Sequence, residues 1–250
     1  MSKFERAAIV ADKLRKDLDI SEHNSIDLEQ LAIRLGIKIK RIDLGDGIEG
    51  VSKSNGNKHL VILKPFPYSP EKERFTLAHE IGHILIHHGS HYCKAEYFHA
   101  FRTQADIERE ANEFAEELLM PKQPVYVLLK NTDLSWTLIR QISDKYIVSI
   151  SAAAIRAVNL FDDDAIIIWH DGNTVKWHVR SDNCFWKLNK TGFADFSYTA
   201  LASDGVNSFK MNIQPMRWID CEIDDLQCEE ETVFFNNLKQ YLTILKFYRA

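Results

Sequence analysis

The chain has 250 residues, 45% of them hydrophobic and 27% charged, with a formal net charge of −5 at pH 7 and a pI near 6.1. That length supports one substantial core plus a smaller one, and the acidic balance excludes the electrostatic footprint of a protein that binds nucleic acid regardless of its sequence. No run approaches the ~20 apolar residues of a membrane span, the opening Met-Ser-Lys-Phe-Glu-Arg lacks a secretory apolar region, and Cys93, Cys184, Cys221 and Cys228 contain no C-x-x-C pair, which fits a reduced, cytoplasmic setting.

A first helix is expected over residues 3–17, where Phe4, Ala7, Ala8, Ala11 and Leu14 recur at helical spacing. A second runs from an Asp27/Gln30 capping pair through Leu31 and Leu35 to Gly36. Strands follow: one at Ile37, Ile39 and Arg41-Ile42, one at Ile48–Val51, and one at Leu60–Leu63, with Asn55-Gly56-Asn57 turning between the last two. An exposed strand here could pair with an extended peptide, or be an edge that binds nothing.

Ser69 as N-cap, Pro70 at the first helical position, Glu71 and Glu73 near the positive end and Gly89 at the close mark a third helix. Within it His79, Glu80 and His83 form H-E-x-x-H. Four residues advance about one helical turn, so the two histidines share a face and Glu80 sits beside them, the arrangement of a zinc peptidase with two ligands and a base. Thr76, Ile86 and His87 project to the same side. The competing reading is a set of histidines satisfied on a partly buried helix.

A peptidase zinc requires a third protein ligand and one open position. Metzincin spacing would place Gly and His where the chain has Ile86 and Gly89, which disfavours that class. His87 lies about 12 Å along the axis from His79, too far to share one ion, and suits a place behind the ligands or facing substrate. His88, His91, Cys93 and His99 follow, in a segment whose simplest reading is solvated surface. The next helix, from a Thr103/Asp106 capping pair to Pro121, offers a better donor. Its apolar arc holds Ile107, Ala111, Phe114, Ala115, Leu118 and Leu119; Glu108 projects into that arc and Glu110 well outside it. An inward carboxylate needs a partner, either zinc on the facing helix or an arginine at the core edge. Asn112, one turn on, can hydrogen-bond a ligand from behind.

Residues 133–160 read as two helices, Trp136–Tyr146 and Ser151–Leu160, in a helix-turn-helix-like order. The second offers mainly Arg156 and Asn159 to a base edge, and its Ala, Ile and Val content reads as packing, which argues against direct DNA binding. Strands resume at Ala165–Trp169 and Thr174–Arg180 around an Asp171-Gly172-Asn173 turn, with a closing strand near Tyr241–Phe247. Aromatics such as Phe185, Trp186 and Trp218 read as core, and the acidic stretch Glu222–Glu231 as a solvated loop.

Taken together, Arg74-Phe75-Thr76, the H-E-x-x-H and the run Glu108-x-x-Ala111-Asn112-x-Phe114-Ala115-x-x-Leu118-Leu119-Met120-Pro121 resemble the ImmA/IrrE family of bacterial zinc metallo-endopeptidases, in a gluzincin-like form. The resemblance is strongest over Phe4–Pro121 and weaker to about residue 160. It implies one Zn2+ held by His79, His83 and Glu108, with Glu80 as general base and no cofactor beyond the metal. With the elements above, the expected fold is α+β: a zincin-like domain with a small sheet at 1–125, a helix-turn-helix-like segment at 126–162, and a β-rich, sensory or regulatory domain at 163–250. The implied substrate is a repressor-type transcription regulator in the cytoplasm, with no membrane partner, in stress responses or mobile-element transfer. In the expected mechanism zinc activates a water and polarises the scissile carbonyl while Glu80 moves the proton to the leaving amine. Tyr92, Tyr97, His99 and Arg102 do not distinguish themselves as transition-state donors. The alternative is a non-proteolytic regulatory or DNA-associated module whose metal is structural or whose site is vestigial; an intact Glu80 argues against it, since a structural site needs no base.

Overall fold

The computed structural model describes residues 3–65, 69–87, 90–94, 106–189, 208–220, 223 and 225–249. Gly89, His88, Tyr97, His99, Arg102, Thr103 and Cys221 lie outside the described residues, as do the side chains of Phe4, Tyr92 and Cys93. The chain is α+β and divides into two compact units, Met1–Pro124 with Ile142–Ala152, and Val125–Gln141 with Ala153–Ala250. The segment 126–162 is thus divided between them. No helix among the described residues is long and apolar enough to cross a membrane.

In the first unit, α1 (Lys3–Asp17) and α2 (Leu28–Arg34) precede β1 (Ile37–Arg41), β2 (Ile48–Asn55) and β3 (Lys58–Leu63). The Asp27 side chain caps α2 by accepting from the Gln30 amide at 3.1 Å. Gly56, at φ +57, turns β2 into β3. With β4 (Ser90–Lys94) these strands form a sheet ordered β1-β3-β2-β4, in which β1 runs parallel to β3 and β2 antiparallel to both its neighbours. Val61 and Leu63 of β3 are buried on one face, as period-two alternation requires. The helices α3 (Pro70–Gly82) and α4 (Asp106–Leu119) belong to the same unit, with α4 packed against both α1 and α3.

That double packing explains the burial along α4. Ala111, Phe114, Ala115, Leu118 and Leu119 are buried as their spacing predicts, but so are Glu108, Glu110, Asn112, Glu116 and Glu117. Ile107, expected inside, is 41% exposed in the first turn.

The helices α5 (Lys122–Thr132), α6 (Trp136–Tyr146) and α7 (Ile150–Asn159) lead into the second unit. In α7, Ala153–Val158 is buried without interruption, Arg156 included, so that side chain is not presented to solvent. The strands β5 (Ala165–His170), β6 (Val175–Arg180), β7 (Ser208–Ile213), β8 (Leu226–Phe235) and β9 (Gln240–Arg249) form an antiparallel sheet ordered β6-β5-β9-β8-β7. The stretch expected as an acidic solvated loop is largely β8, beside the central strand β9. Leu226, Cys228, Glu230 and Thr232 alternate inward along it, and Glu230 is held by the Trp218 indole at 2.8 Å and the Thr232 hydroxyl at 2.9 Å. Trp218 is fully buried, whereas Phe185 is 85% exposed. The Cys184 and Cys228 side chains are buried.

Candidate metal centre

Pro70 opens α3 with a fixed φ and no amide to leave unpaired. Ser69 stands at the N-cap position but makes no side-chain cap; its carbonyl accepts the Lys72 and Glu73 amides at 3.1 and 3.3 Å. Arg74 anchors the helix by donating to the carbonyls of Ile26, at 2.9 Å, and Ile147, at 3.0 Å. From Thr76 onward every residue of α3 is buried. The helix then widens into one π-helical turn, His83–His87. Such turns are rare and frequent at functional sites.

His79, Glu80 and His83 are fully buried, and Glu108 of α4 faces the two histidines. His79 Nε2 lies 3.0 Å from His83 Nε2 and 3.2 Å from Glu108 Oε2, and His83 Nε2 lies 3.5 Å from Glu108 Oε1. Donors at the corners of a tetrahedron around zinc are about 3.3 Å apart, given bonds of about 2.0–2.2 Å. The three side chains therefore fit one such ion, and they are the one group among the described residues whose donor atoms lie that close together.

The electrostatics suit a cation. Burial holds the His83 imidazole down at about 4, so it is neutral with a lone pair to offer. Burial opposes ionisation of Glu108, but the His79 and His83 rings beside it outweigh that and hold the carboxyl well below the usual carboxylate range. Two imidazoles and one carboxylate are a typical donor set of a catalytic zinc.

Further groups hold these side chains in place. His79 Nδ1–H donates to Asn112 Oδ1 at 2.8 Å, leaving Nε2 aimed at the cluster. His87 Nδ1 lies 3.1 Å from His83 Nδ1, and His87 Nε2 donates to Glu110 Oε2 at 2.9 Å. Glu110, which a projection of α4 sets outside the apolar arc, is only 7% exposed, because the side of α4 away from Glu108 also meets the π turn. His91 of β4 stacks on His83 with ring centroids 4.4 Å apart and planes within 8°, so it covers the ring and contributes no converging donor. Sequence spacing carries no signal for either contact.

Glu80 lies against the sheet. A methyl group at Gly50 of β2 would sit 2.3 Å from Glu80 Oε1 and 2.9 Å from Thr76 Cγ2, so only glycine leaves room for this carboxylate. Gly82 is similarly tight, its missing methyl falling 2.9 Å from the Phe114 ring, and lets α3 and α4 approach closely. A separate cavity of about 830 Å³ lies in the second unit, near Asp162, Trp186 and Lys246, and none of the residues above lines it.

The family model described as Peptidase_M78, IrrE N-terminal-like domain, matches residues 32–158, a span that includes every side chain of the cluster. Comparison with curated proteins gives no match. Among solved structures the chain is similar to a Mycobacterium tuberculosis transcriptional regulator, with a TM-score of 0.56 and 12% identity, over 96% of this chain and 75% of that one. At that identity the likeness is one of fold.

Proposed function

The chain belongs to the Peptidase_M78 family of IrrE N-terminal-like domains, whose model spans half of it, and from that premise we propose that it is a zinc-dependent endopeptidase cutting a repressor-type transcription regulator in the cytoplasm. The convergence of His79 Nε2, His83 Nε2 and the Glu108 carboxylate within one ion's coordination distance carries this reading. Three protein donors leave one position open, which separates a catalytic site from a structural one.

Held by His79, His83 and Glu108, zinc would lower the pKa of a water towards about 7 and polarise a peptide carbonyl. The protein's own part is held by Glu80, whose carboxylate accepts the proton of the attacking water and returns it to the leaving amine. The burial of Glu80 against β2 fixes that carboxylate beside the histidine face of α3. Asn112 orients the His79 ring, so Nε2 would be directed at a bound ion. In this reading the peptidase occupies residues 1–125 in a zincin-like arrangement, 126–162 is a helix-turn-helix-like connector, and the β-rich 163–250 is regulatory. The fold-level likeness to a transcriptional regulator supports a place in gene control.

The test is metal content paired with proteolysis of candidate repressors encoded nearby. Wild type takes up one equivalent of zinc, while His79→Ala and Glu108→Ala do not. Glu80→Gln keeps its zinc and loses roughly 10²–10⁴-fold in cleavage, the range for a removed general base. Stoichiometric zinc in Glu108→Ala would sink its role as third ligand, and a fully active Glu80→Gln protein would remove the mechanism.

A further inference from the structure

Two residues outside the H-E-x-x-H set, His87 and Glu110, form a chain of contacts that ends on His83. Glu110 Oε2 accepts from His87 Nε2 at 2.9 Å, and His87 Nδ1 lies 3.1 Å from His83 Nδ1. A carboxylate only accepts, so Nε2 of His87 carries its proton and Nδ1 of the neutral ring has only a lone pair. The contact between the two Nδ1 atoms is then a hydrogen bond only if His83 donates it. That places the His83 proton on Nδ1 and leaves the lone pair on Nε2, the atom that faces His79 and Glu108.

Each link depends on local structure. The π turn His83–His87 brings the two rings to 5.2 Å between centroids, at 51° to one another. Burial of α4 on both sides keeps Glu110, at 7% exposure, next to the turn and away from competing water. His91 stacked flat on His83 restricts rotation of that ring. His79 is held differently, by the neutral amide of Asn112. The two histidines of the motif thus have unequal support, an amide on one and a carboxylate acting through a second imidazole on the other.

We propose that Glu110 and His87 are positioning residues for the metal: together they select the His83 tautomer with Nε2 free and fix the direction of its lone pair. This rests on the zinc reading of the site. A carboxylate behind a ligating histidine fixes its tautomer and strengthens it as a donor, and losing such a partner generally costs about 10–100-fold in metal affinity. Here that partner acts across one intervening ring.

Two measurements test the relay. Zinc affinity by chelator competition falls about 10-fold in Glu110→Gln, which keeps shape and loses charge, and towards 100-fold in His87→Phe, which keeps a ring and loses the acceptor. Because the two act in series, the double variant binds no more weakly than His87→Phe alone; independent effects would multiply. Imidazole ¹⁵N spectra of the metal-free proteins show His83 as the Nδ1–H tautomer in wild type and shifted towards Nε2–H in His87→Phe, with His79 unchanged in both. A merely structural role would leave that signature in place. Wild-type zinc affinity in both single variants, or an Nε2–H His83 in wild type, overturns the relay. Failure of the zinc reading looks different: wild type takes up no stoichiometric zinc, while the ¹⁵N spectra still report the His83 tautomer.

Discussion

At the scale of single residues, the site is shaped as much by missing atoms as by the donors. Gly50 stands beside a register shift in the β2–β4 pairing but has no positive φ, so its conformation does not demand glycine; the space does, since its missing methyl would fall 2.3 Å from Glu80 Oε1. The atoms it would strike, Glu80 Oε1 and Thr76 Cγ2, both belong to side chains, so Gly50→Ala displaces the carboxylate, crowds Thr76 and spares the backbone. Moving a catalytic group by about 1 Å costs about 10²-fold in rate. Gly50→Ala should therefore lose about that much cleavage, with zinc stoichiometry unchanged and Tm within a few degrees of wild type; normal turnover in this variant would show that Glu80 has freedom this packing denies it. The helical period makes it legible in the sequence that His79, Glu80 and His83 are neighbours, and a projection of α4 brings Glu108 towards them. Gly50, His91 and Glu110 are not legible in this way. Each depends on where another element passes, and a strand's approach to a helix leaves no periodic trace in either segment.

At the scale of elements, α4 decides the site's precision, because it carries Glu108, Glu110 and Asn112 between α1 and α3. Its far end is tied down by Arg15 of α1, which is 1% exposed and donates to the carbonyls of Leu118, Ser21 and Asn24 at 2.8, 2.6 and 3.4 Å. The Leu118 carbonyl belongs to the last turn of α4, where the helix leaves its own acceptors unpaired. Arg15→Ala strands the Leu118 carbonyl in the interior and opens a cavity, an expected loss of about 3 kcal/mol. A fall in urea midpoint at unchanged slope would record it, and a midpoint equal to wild type would mean that water replaces the guanidinium. Gly82→Ala should cost about 1–3 kcal/mol through its contact with Phe114, an overpacking effect at the α3–α4 crossing. An arginine near the end of an amphipathic helix reads as solvated, so the sequence conceals Arg15, just as an acidic run conceals β8. In both cases tertiary hydrogen bonds bury groups whose composition signals water. The reverse holds for α2, whose Asp27 cap is local chemistry and was readable without any tertiary knowledge.

At the scale of the whole molecule, one of the two units can be followed alone. All five tryptophans, 136, 169, 177, 186 and 218, fall in the second unit, so indole fluorescence reports its unfolding. Helical periodicity locates α6 and α7 but does not reveal which unit each half joins, since that depends on partners distant in the chain. Within the second unit His170 of β5 is 4% exposed; its Nδ1 accepts the Gly172 amide at 3.2 Å and its Nε2 lies 3.0 Å from Thr243 Oγ1. Burial holds this imidazole down at about 4, with Asp171 pulling the other way. Between about 6.5 and 4 the unfolded chain takes up a proton that the folded chain refuses. The contribution is therefore complete above pH 6.5 and is lost as pH falls towards 4, by about 3 kcal/mol in full. Glu230 lies near the far end of the same buried network, joined through Thr232 and Thr243, with the Trp218 indole on its carboxylate and Arg217 nearby. Burial raises its pKa, so its protonation favours the folded state on the acid side and partly masks the histidine. Comparison with His170→Gln separates the two, because Glu230 is common to both proteins. The stability gap between wild type and His170→Gln, read from tryptophan-detected urea unfolding, should narrow by about 3 kcal/mol from pH 7.5 to pH 4. A gap that stays constant across that range would mean that His170 titrates as it does in water, and that the burial of β5 does not govern its charge.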